Sequence, residues 1–432
     1  VIDVVAPIAL LVLLIVTGIP IGFALMISGI VGISMVTTPD VALGVLQTLP
    51  FRESSAYALV TIPMFVLMAE FITKGGLAKD IFDALKLWSG RVPGGAVVAT
   101  IFASAGLGAI CGSSAAAAST MGRAAIPELK RLGYSPSFSV GSVAVAGTLA
   151  IMIPPSTGLL LYALLTGTTI GGMLIAGILP GILIAVAFAV LAVVRARRAI
   201  ARGEASRGSR YTIGQKLAAA STLWPFALLI GGILYGIYSG IVSAIEASAL
   251  GALLALVILV VLRRISGSEF VDAVRGTAQL TSMIFIIIVG AGLFGYFLTV
   301  ARIPDKLLES LVSAGLGRWG VLLVILFAIF VLGFFMDQIA ILSLAIPIVF
   351  PIVQNLEFDA IWFGILFTCL AEIGMVTPPM GLNVFVASAA GGETAETGFI
   401  GVWPYVAVLG VVLVILILVP QISTALVPAS LG

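Results

Sequence analysis

The chain has 432 residues, of which 61% are hydrophobic and only 9% charged, and its formal net charge is +2. Soluble domains carry about 25% charged residues, so this composition, with a mean hydropathy of +1.27, excludes a soluble globular protein and reads as an all-α polytopic membrane protein. Histidine is absent, which rules out histidine acid–base chemistry, histidine–metal sites and a Ser-His-Asp triad. No G-x-x-x-x-G-K-[ST] string offers ATP hydrolysis by a P-loop, and no nucleic-acid partner is expected.

Apolar runs of about 20 residues recur along the chain, each long enough to cross a hydrocarbon layer of about 30 Å. The stretch 4–36 lacks the basic start of a signal peptide and is split by Gly18-Ile19-Pro20, so it reads as two spans, 4–17 and 21–36. A span at 55–73 and an amphipathic surface helix at 77–88 follow. The stretch 94–131 is too long for one span and too short for two. Its weak polar centre, Cys111-Gly112-Ser113-Ser114, marks the tip of a re-entrant hairpin that reaches the membrane interior. The segment 136–165 crosses fully but breaks at Ile153-Pro154-Pro155-Ser156-Thr157-Gly158-Leu159, because each proline deletes a backbone donor and clashes with the preceding turn.

Further spans are expected at 171–194, 223–240, 243–262 and 281–300. A second surface helix at 304–314 leads to a second hairpin, 319–353, around Met336-Asp337-Gln338. The segment 360–390 is again a crossing, broken at Thr377-Pro378-Pro379-Met380-Gly381-Leu382-Asn383, and 402–420 is the last span. Cys111 and Cys369 lie in apolar surroundings without metal-ligand spacing and read as small core residues.

The loop from Arg195 to Lys216 carries seven basic residues against the single acid Glu204, which makes it cytoplasmic by the positive-inside rule. Threading the spans from there puts seventeen of the 21 basic residues on that side, with Arg52, Arg302, Lys306 and Arg318 opposite. Both termini are then outside the cytoplasm. The order span, surface helix, hairpin, broken helix, span occurs twice. Gly108 corresponds to Gly333, Ile126-Pro127 to Ile346-Pro347, and Pro154-Pro155 to Pro378-Pro379. The hairpins open to opposite sides, so the halves are inverted, as in many secondary transporters, and the paired breaks point to a binding site.

Helix breaks expose backbone groups: N-termini suit carboxylates and carbonyl-rich C-termini suit cations. Gly112, Ser113 and Ser114 at the first tip face Pro154, Pro155, Ser156, Thr157 and Gly158 at the first break. Together they offer hydroxyls and free carbonyls of the kind hard cations require, and a sodium site is expected there. The competing reading is that serine, alanine and glycine merely allow close helix packing. The symmetric site uses Asp337 and Gln338 with Thr377, Pro378, Gly381 and Asn383. An isolated carboxylate at mid-membrane is costly unless paired or bound to a cation, so a functional role for Asp337 outweighs a structural hydrogen bond. Glu372, one turn before Thr377, falls under the same argument, or it caps the break or pairs with an arginine. Glu246 is read as a helix cap. Arg123 either meets a substrate carboxylate or sits in the cytoplasmic interface.

Gly112-Ser113-Ser114-Ala115-Ala116-Ala117-Ala118, Met121-Gly122-Arg123-Ala124-Ala125-Ile126-Pro127-Glu128-Leu129, Gly133-Tyr134 and both double-proline motifs resemble the large membrane subunit of tripartite ATP-independent periplasmic (TRAP) transporters, the DctM-like family. Gly18-Ile19-Pro20-Ile21-Gly22-Phe23-Ala24 fits as well, and the resemblance covers nearly the whole chain. One departure is Ser243-Ala244-Ile245-Glu246-Ala247-Ser248, where the family usually has Thr-Pro-Thr-Glu-Ala-Ala.

The resemblance implies a bacterial or archaeal inner-membrane importer of organic acids. It would be driven by sodium and work as an elevator in an inverted-repeat, ion-transporter-type fold. It implies two partners, a four-span small membrane subunit on a separate polypeptide and a periplasmic binding protein that captures substrate, besides membrane lipid. Sodium is the only metal expected, with no organic cofactor. Beside the sodium regions, Ser114, Arg123, Ser156, Glu372 and Asn383 are the candidates for contact with such an acid. The expected division is 1–93 scaffold and first arm helix, 94–165 first transport half, 166–318 scaffold and second arm, 319–390 second transport half and 391–432 scaffold. The alternative function is a self-sufficient sodium/dicarboxylate-type symporter of the same fold. An intramembrane aspartyl protease would need a second membrane aspartate beside Asp337, and no span carries the continuous polar stripe of a passive channel.

Overall fold

A computed structural model of the chain describes residues 2–90, 92–206, 211–428 and 431. Among the described residues all regular structure is helical. Tyr57–Lys74, Ile170–Ala201, Ala244–Val261, Gly267–Val300 and Ala395–Leu418 each have the length and hydropathy of a membrane span.

The first hairpin consists of Gly95–Cys111 and Ser114–Arg131. Its reversal uses Gly112 at φ +58°, a left-handed conformation that glycine adopts without a Cβ penalty. Ser113 then caps the returning helix by accepting from the Ala116 amide. The second hairpin, Arg318–Gly333 and Gln338–Asn355, turns through Phe334 to Asp337, and Asp337 occupies the equivalent cap. The first broken helix is Pro136–Met152 and Thr157–Thr166, bent by 42°. The second is Ala360–Val376 and Leu382–Gly391. The peptide bonds Pro154-Pro155 and Pro378-Pro379 are both cis.

The repeat extends to close packing. A β-carbon on Gly108 would lie 2.0 Å from Ala150 Cα, and one on Gly333 would lie 2.9 Å from Gly374 Cα. Ala150 and Gly374 each stand four residues before the first proline of their pair. The outgoing arm of each hairpin is thus pressed on its own broken helix just ahead of the break, through glycine in both halves. The returning arms cross over: Ser114–Arg131 packs on Leu382–Gly391, and Gln338–Asn355 packs on Thr157–Thr166. Each hairpin therefore grips the far half of the other repeat's broken helix.

Ile178–Ala201 and Ala395–Leu418 lie along Pro136–Met152. Gly141 and Gly401 meet there so closely that a β-carbon on Gly401 would lie 1.8 Å from the Ser137 carbonyl oxygen. On the other side Ile2–Val16, Ile21–Val36, Pro39–Ser54 and the far half of Gly267–Val300 build a separate small core around Leu25, Ile33, Phe294 and Phe297. The first surface helix, Leu77–Ser89, is joined to the first hairpin by the Lys86–Glu128 ion pair at 2.7 Å. Its Asp80 pairs with Arg264. The second surface helix is Ile303–Ser313.

The structure departs from the sequence reading at polar helices. Pro39–Ser54 is helical, with Thr38 accepting from the Val41 amide and proline at the first helical position. Ile213–Ser221 opens on a Thr212/Gln215 capping box. The span expected at 281–300 starts at Gly267, behind a Ser266/Glu269 capping box, and runs 34 residues. At 1.5 Å per residue that is about 50 Å, so the polar segment carrying Glu269, Asp272 and Arg275 continues the helix beyond the apolar layer. The last span likewise starts at Ala395 rather than 402. Glu246 forms a capping box with Ser243, accepting from the Ser243 amide at 2.8 Å, which replaces the missing proline turn.

The close glycine contacts rank two substitutions. Gly108→Ala should destabilise the detergent-solubilised chain more than Gly333→Ala, because its new carbon meets backbone at the shorter distance; overpacking of this kind costs about 1–3 kcal/mol. Gly410→Ala, where nothing lies within 4 Å, should be neutral. Thermal unfolding of the three variants measures the order, and equal melting temperatures would contradict the packing described.

Candidate functional site

In an unbroken helix, the amides of residues 154 and 155 would bond to the carbonyls of Ala150 and Ile151, and those of 378 and 379 to the carbonyls of Gly374 and Met375. Proline has no N–H, so all four positions lose that donor. The Thr377 amide turns back to the Gly374 carbonyl at 3.0 Å. Each break is followed by a fresh N-terminus. Ser156 caps the first by accepting from Leu159, and Gly381, at φ +48°, begins the second.

The two tips and two breaks meet. One cavity of about 170 Å³ is lined by Gly112, Ser113 and Ser114 from the first tip and Asp337 and Gln338 from the second. Ile151 and Thr157 line it from the first break, and Met375 and Leu382 from the second. Leu280 and Ile284 of the long helix close one wall. The Thr157 hydroxyl donates to the Gly112 carbonyl, tying the first tip to the first break. The Gln338 amide lies over Gly158, where a β-carbon would come within 2.5 Å of Nε2. The second tip is thereby seated on the first break.

The polar groups around this cavity are buried and only partly satisfied. Glu372 is 2% exposed and Asn383 is fully buried. Asn383 Nδ2 donates to Glu372 Oε2 at 3.5 Å, a long contact, and the Ser114 hydroxyl lies beside the same carboxylate. Glu372 Oε1, Asn383 Oδ1 and both amide atoms of Gln338 have no hydrogen-bond partner among the described residues. Unpaired buried polar atoms cost about 1–3 kcal/mol each. Gln338 lines the cavity, and Glu372 and Asn383 are buried next to the lining residues Ser114 and Leu382, an arrangement that a ligand would complete.

The other expected site residues are distributed unevenly. Asp337 is exposed to the cavity, and its Oδ1 accepts from the Ala340 amide at 2.8 Å as a helix cap. The Thr377 hydroxyl donates to the Ile373 carbonyl at 2.6 Å, which leaves its oxygen lone pairs free to accept. Pro154, Pro155 and Ser156 are buried, Pro378 is half-buried, and Pro379 and Met380 are exposed. Arg123 is not brought to the cavity. It is exposed, nine residues along the helix from Ser114, and donates to Ser119 Oγ at 2.9 Å. Cys369 is a buried free thiol, whereas the side chain of Cys111 lies outside the described ones. Sequence reasoning missed Ser388, buried with its hydroxyl unpartnered on the same short helix as Asn383. Its signal was being one of only two polar residues in that helix.

A mostly apolar cavity with a few polar side chains, walled by two re-entrant tips and two proline breaks inside an apolar helical bundle, is the architecture of a carrier-type membrane transport protein. The family model described as "Tripartite ATP-independent periplasmic transporter, DctM component" matches residues 8–422. The chain belongs to this family of transporter permease components and is not an enzyme. It is 37% identical over 88% of its length, and 88% of the relative's, to the C4-dicarboxylate TRAP transporter large permease protein DctM of Pseudomonas aeruginosa. It is 33% identical over 85% of both chains to the ectoine TRAP transporter large permease protein TeaC of Halomonas elongata. In fold it is similar to the YdaH transporter of Alcanivorax borkumensis, with a TM-score of 0.66 over 90% of each chain at 14% identity.

Gly158→Ala tests the meeting of second tip and first break. The added carbon displaces the Gln338 amide and also meets Ile151 Cγ2 at 2.6 Å. The melting temperature should therefore fall, reflecting an overpacking cost of about 1–3 kcal/mol, while uptake by the protein that still folds falls by about tenfold, equivalent to about 1.4 kcal/mol. Full uptake by a folded Gly158→Ala protein would show that the seating of Gln338 does not matter.

Proposed function

We propose that the chain imports an organic acid across the bacterial or archaeal inner membrane by sodium-coupled symport. A periplasmic binding protein delivers the acid, and a four-span small subunit completes the membrane complex. The observation that supports this reading most is the set of unpartnered buried oxygens at Glu372 and Asn383, next to the cavity that carries the Ser114 and Thr157 hydroxyls between the two proline breaks. Oxygen-only donors with a carboxylate close by suit a hard monovalent cation better than a transition metal. One sodium is assigned to Gly112, Ser113, Ser114, Pro154, Pro155, Ser156, Thr157 and Gly158. A second is assigned to Asp337, Gln338, Thr377, Pro378, Gly381 and Asn383. The acid binds between them, against Ser114, Ser156, Glu372 and Asn383, where the bound cations offset its charge.

Transport proceeds by an elevator movement of the hairpins and broken helices, 94–165 and 319–390. Ile178–Ala201 and Ala395–Leu418, expected as scaffold, are packed along Pro136–Met152, and in this reading they travel with it. The two surface helices are the arms. An apolar crevice of about 590 Å³ separates the second hairpin from Ile2–Val16 and the long helix, lined by Leu11, Phe294, Leu298, Ile329, Leu344 and Ile348 among others. A loosely filled seam, with no hydrogen bond across it among the described residues, offers little resistance to sliding. The positive-inside charge distribution puts both termini on the periplasmic side.

In proteoliposomes holding the large and small subunits, uptake should require the binding protein and an inward sodium gradient. Uptake that persists with potassium in place of sodium and no proton gradient would refute the coupling, and uptake by the large subunit alone would favour the self-sufficient symporter. Asp337→Ala and Ser113→Ala should each raise the sodium concentration for half-maximal uptake several-fold, with only the modest fall in melting temperature expected of a lost helix cap worth about 0.5–2 kcal/mol. Superimposable sodium titrations for both variants and the parent would refute the sites.

A further inference from the structure

A separate, polar cavity of about 240 Å³ lies where the apolar part of Ile178–Ala201 ends. Arg195, Arg198 and Arg202 line it, at i, i+3 and i+7 on one helix face. The opposite wall is the loop between the first hairpin and the first broken helix, with Tyr134, Ser135 and Phe138. Ser206 holds the two walls together, its amide donating to the Leu132 carbonyl at 2.9 Å and its hydroxyl to the same oxygen at 3.1 Å.

Arg195 is set in place. Its guanidinium lies 4.7 Å from the centre of the Phe138 ring and 5.6 Å from that of Tyr405, and Nη1 donates to the Gly401 carbonyl at 3.1 Å. A guanidinium has five N–H donors, and those not taken by the Gly401 carbonyl and the Tyr405 hydroxyl are left for a ligand in the cavity. Arg198 makes no ion pair among the described residues. Glu204 also borders the cavity, 3.9 Å from Arg202 on an exposed edge, too loose a pairing to neutralise the group.

The same ridge continues into the apolar layer. Ile182, Val186, Val190 and Val194 are spaced by four residues and all exposed, and Arg198 and Arg202 extend the series. An apolar, outward-facing stripe thus runs straight into a guanidinium-lined cavity. We propose that this cavity binds a phosphate diester as the headgroup of an anionic phospholipid, with its acyl chains along Ile182 to Val194. Guanidinium forks match phosphate oxygens bidentately, and basic pockets at helix ends favour anionic headgroups. The bound lipid bridges Ile178–Ala201 and the loop leading into the first broken helix.

Native mass spectrometry of the full chain in detergent tests this, with phosphatidylglycerol, phosphatidylcholine and inorganic phosphate as probes. Phosphatidylglycerol should be retained at least fivefold more than phosphatidylcholine. Arg198→Gln with Arg202→Gln should lower that retention about tenfold, while the charge-matched pair Arg197→Gln with Arg275→Gln, outside the cavity, leaves it unchanged. Equal retention of the two lipids, or equal loss in both double variants, would overturn the site. Displacement of phosphatidylglycerol by equimolar inorganic phosphate would overturn the lipid in favour of a soluble anion.

Discussion

A peptide group inside lipid must find its hydrogen-bond partner within the protein, because no water is there to replace it. Two proline pairs withdraw four amide donors at equivalent depths in the two halves. The rest of the architecture is arranged around that deficit. The tips of both hairpins are brought to the breaks, and the glycines at 108 and 333 let the hairpin arms approach closely enough to reach them. The returning arms cross to the opposite repeat, so neither half holds its own break without the other. The outcome is a small cavity within an apolar bundle, whose polar side chains are those of Ser113, Ser114, Thr157, Asp337 and Gln338.

The Gln338 amide on the cavity wall has both polar atoms unpartnered among the described residues, and beside the cavity Glu372 Oε1 and Asn383 Oδ1 are unpartnered acceptors. Unpartnered acceptors favour a cation over an anion, so under the proposed coupling an acid binds together with cations that offset its charge. The family to which the chain belongs is consistent with carriage of small polar solutes, and the cavity of about 170 Å³ is below the usual range of about 300–1,000 Å³ for drug-sized ligands.

Much of this was legible in the chain because proline and glycine act locally. The double prolines and the Gly112-Ser113-Ser114 turn mark helix ends, and the long apolar runs mark spans by length alone. That Asp337 caps the returning helix of the second hairpin was shown only by the fold. The polar helices Pro39–Ser54 and Ile213–Ser221, and the first 14 residues of Gly267–Val300, were hidden from a hydropathy reading. Their starts are nevertheless written in caps at Thr38, Thr212 and Ser266. The crossover of the returning arms, the seating of Gln338 on Gly158 and the pairing of Glu372 with Asn383 depend on contacts between distant segments, for which local spacing holds no signal. Arg123 shows the converse: a charge two turns beyond a polar tip suggested the site, but helix geometry carries it away from the cavity.

The central claim is that the missing proline donors create the cation site, and it can be measured without substrate or partners. Isothermal titration of sodium into the purified large subunit should give saturable binding that potassium does not reproduce. Replacing all four prolines at 154, 155, 378 and 379 with alanine, which restores the amides to the facing carbonyls, should abolish that binding in a chain that still folds. Undiminished sodium binding by the folded four-alanine protein would contradict the account.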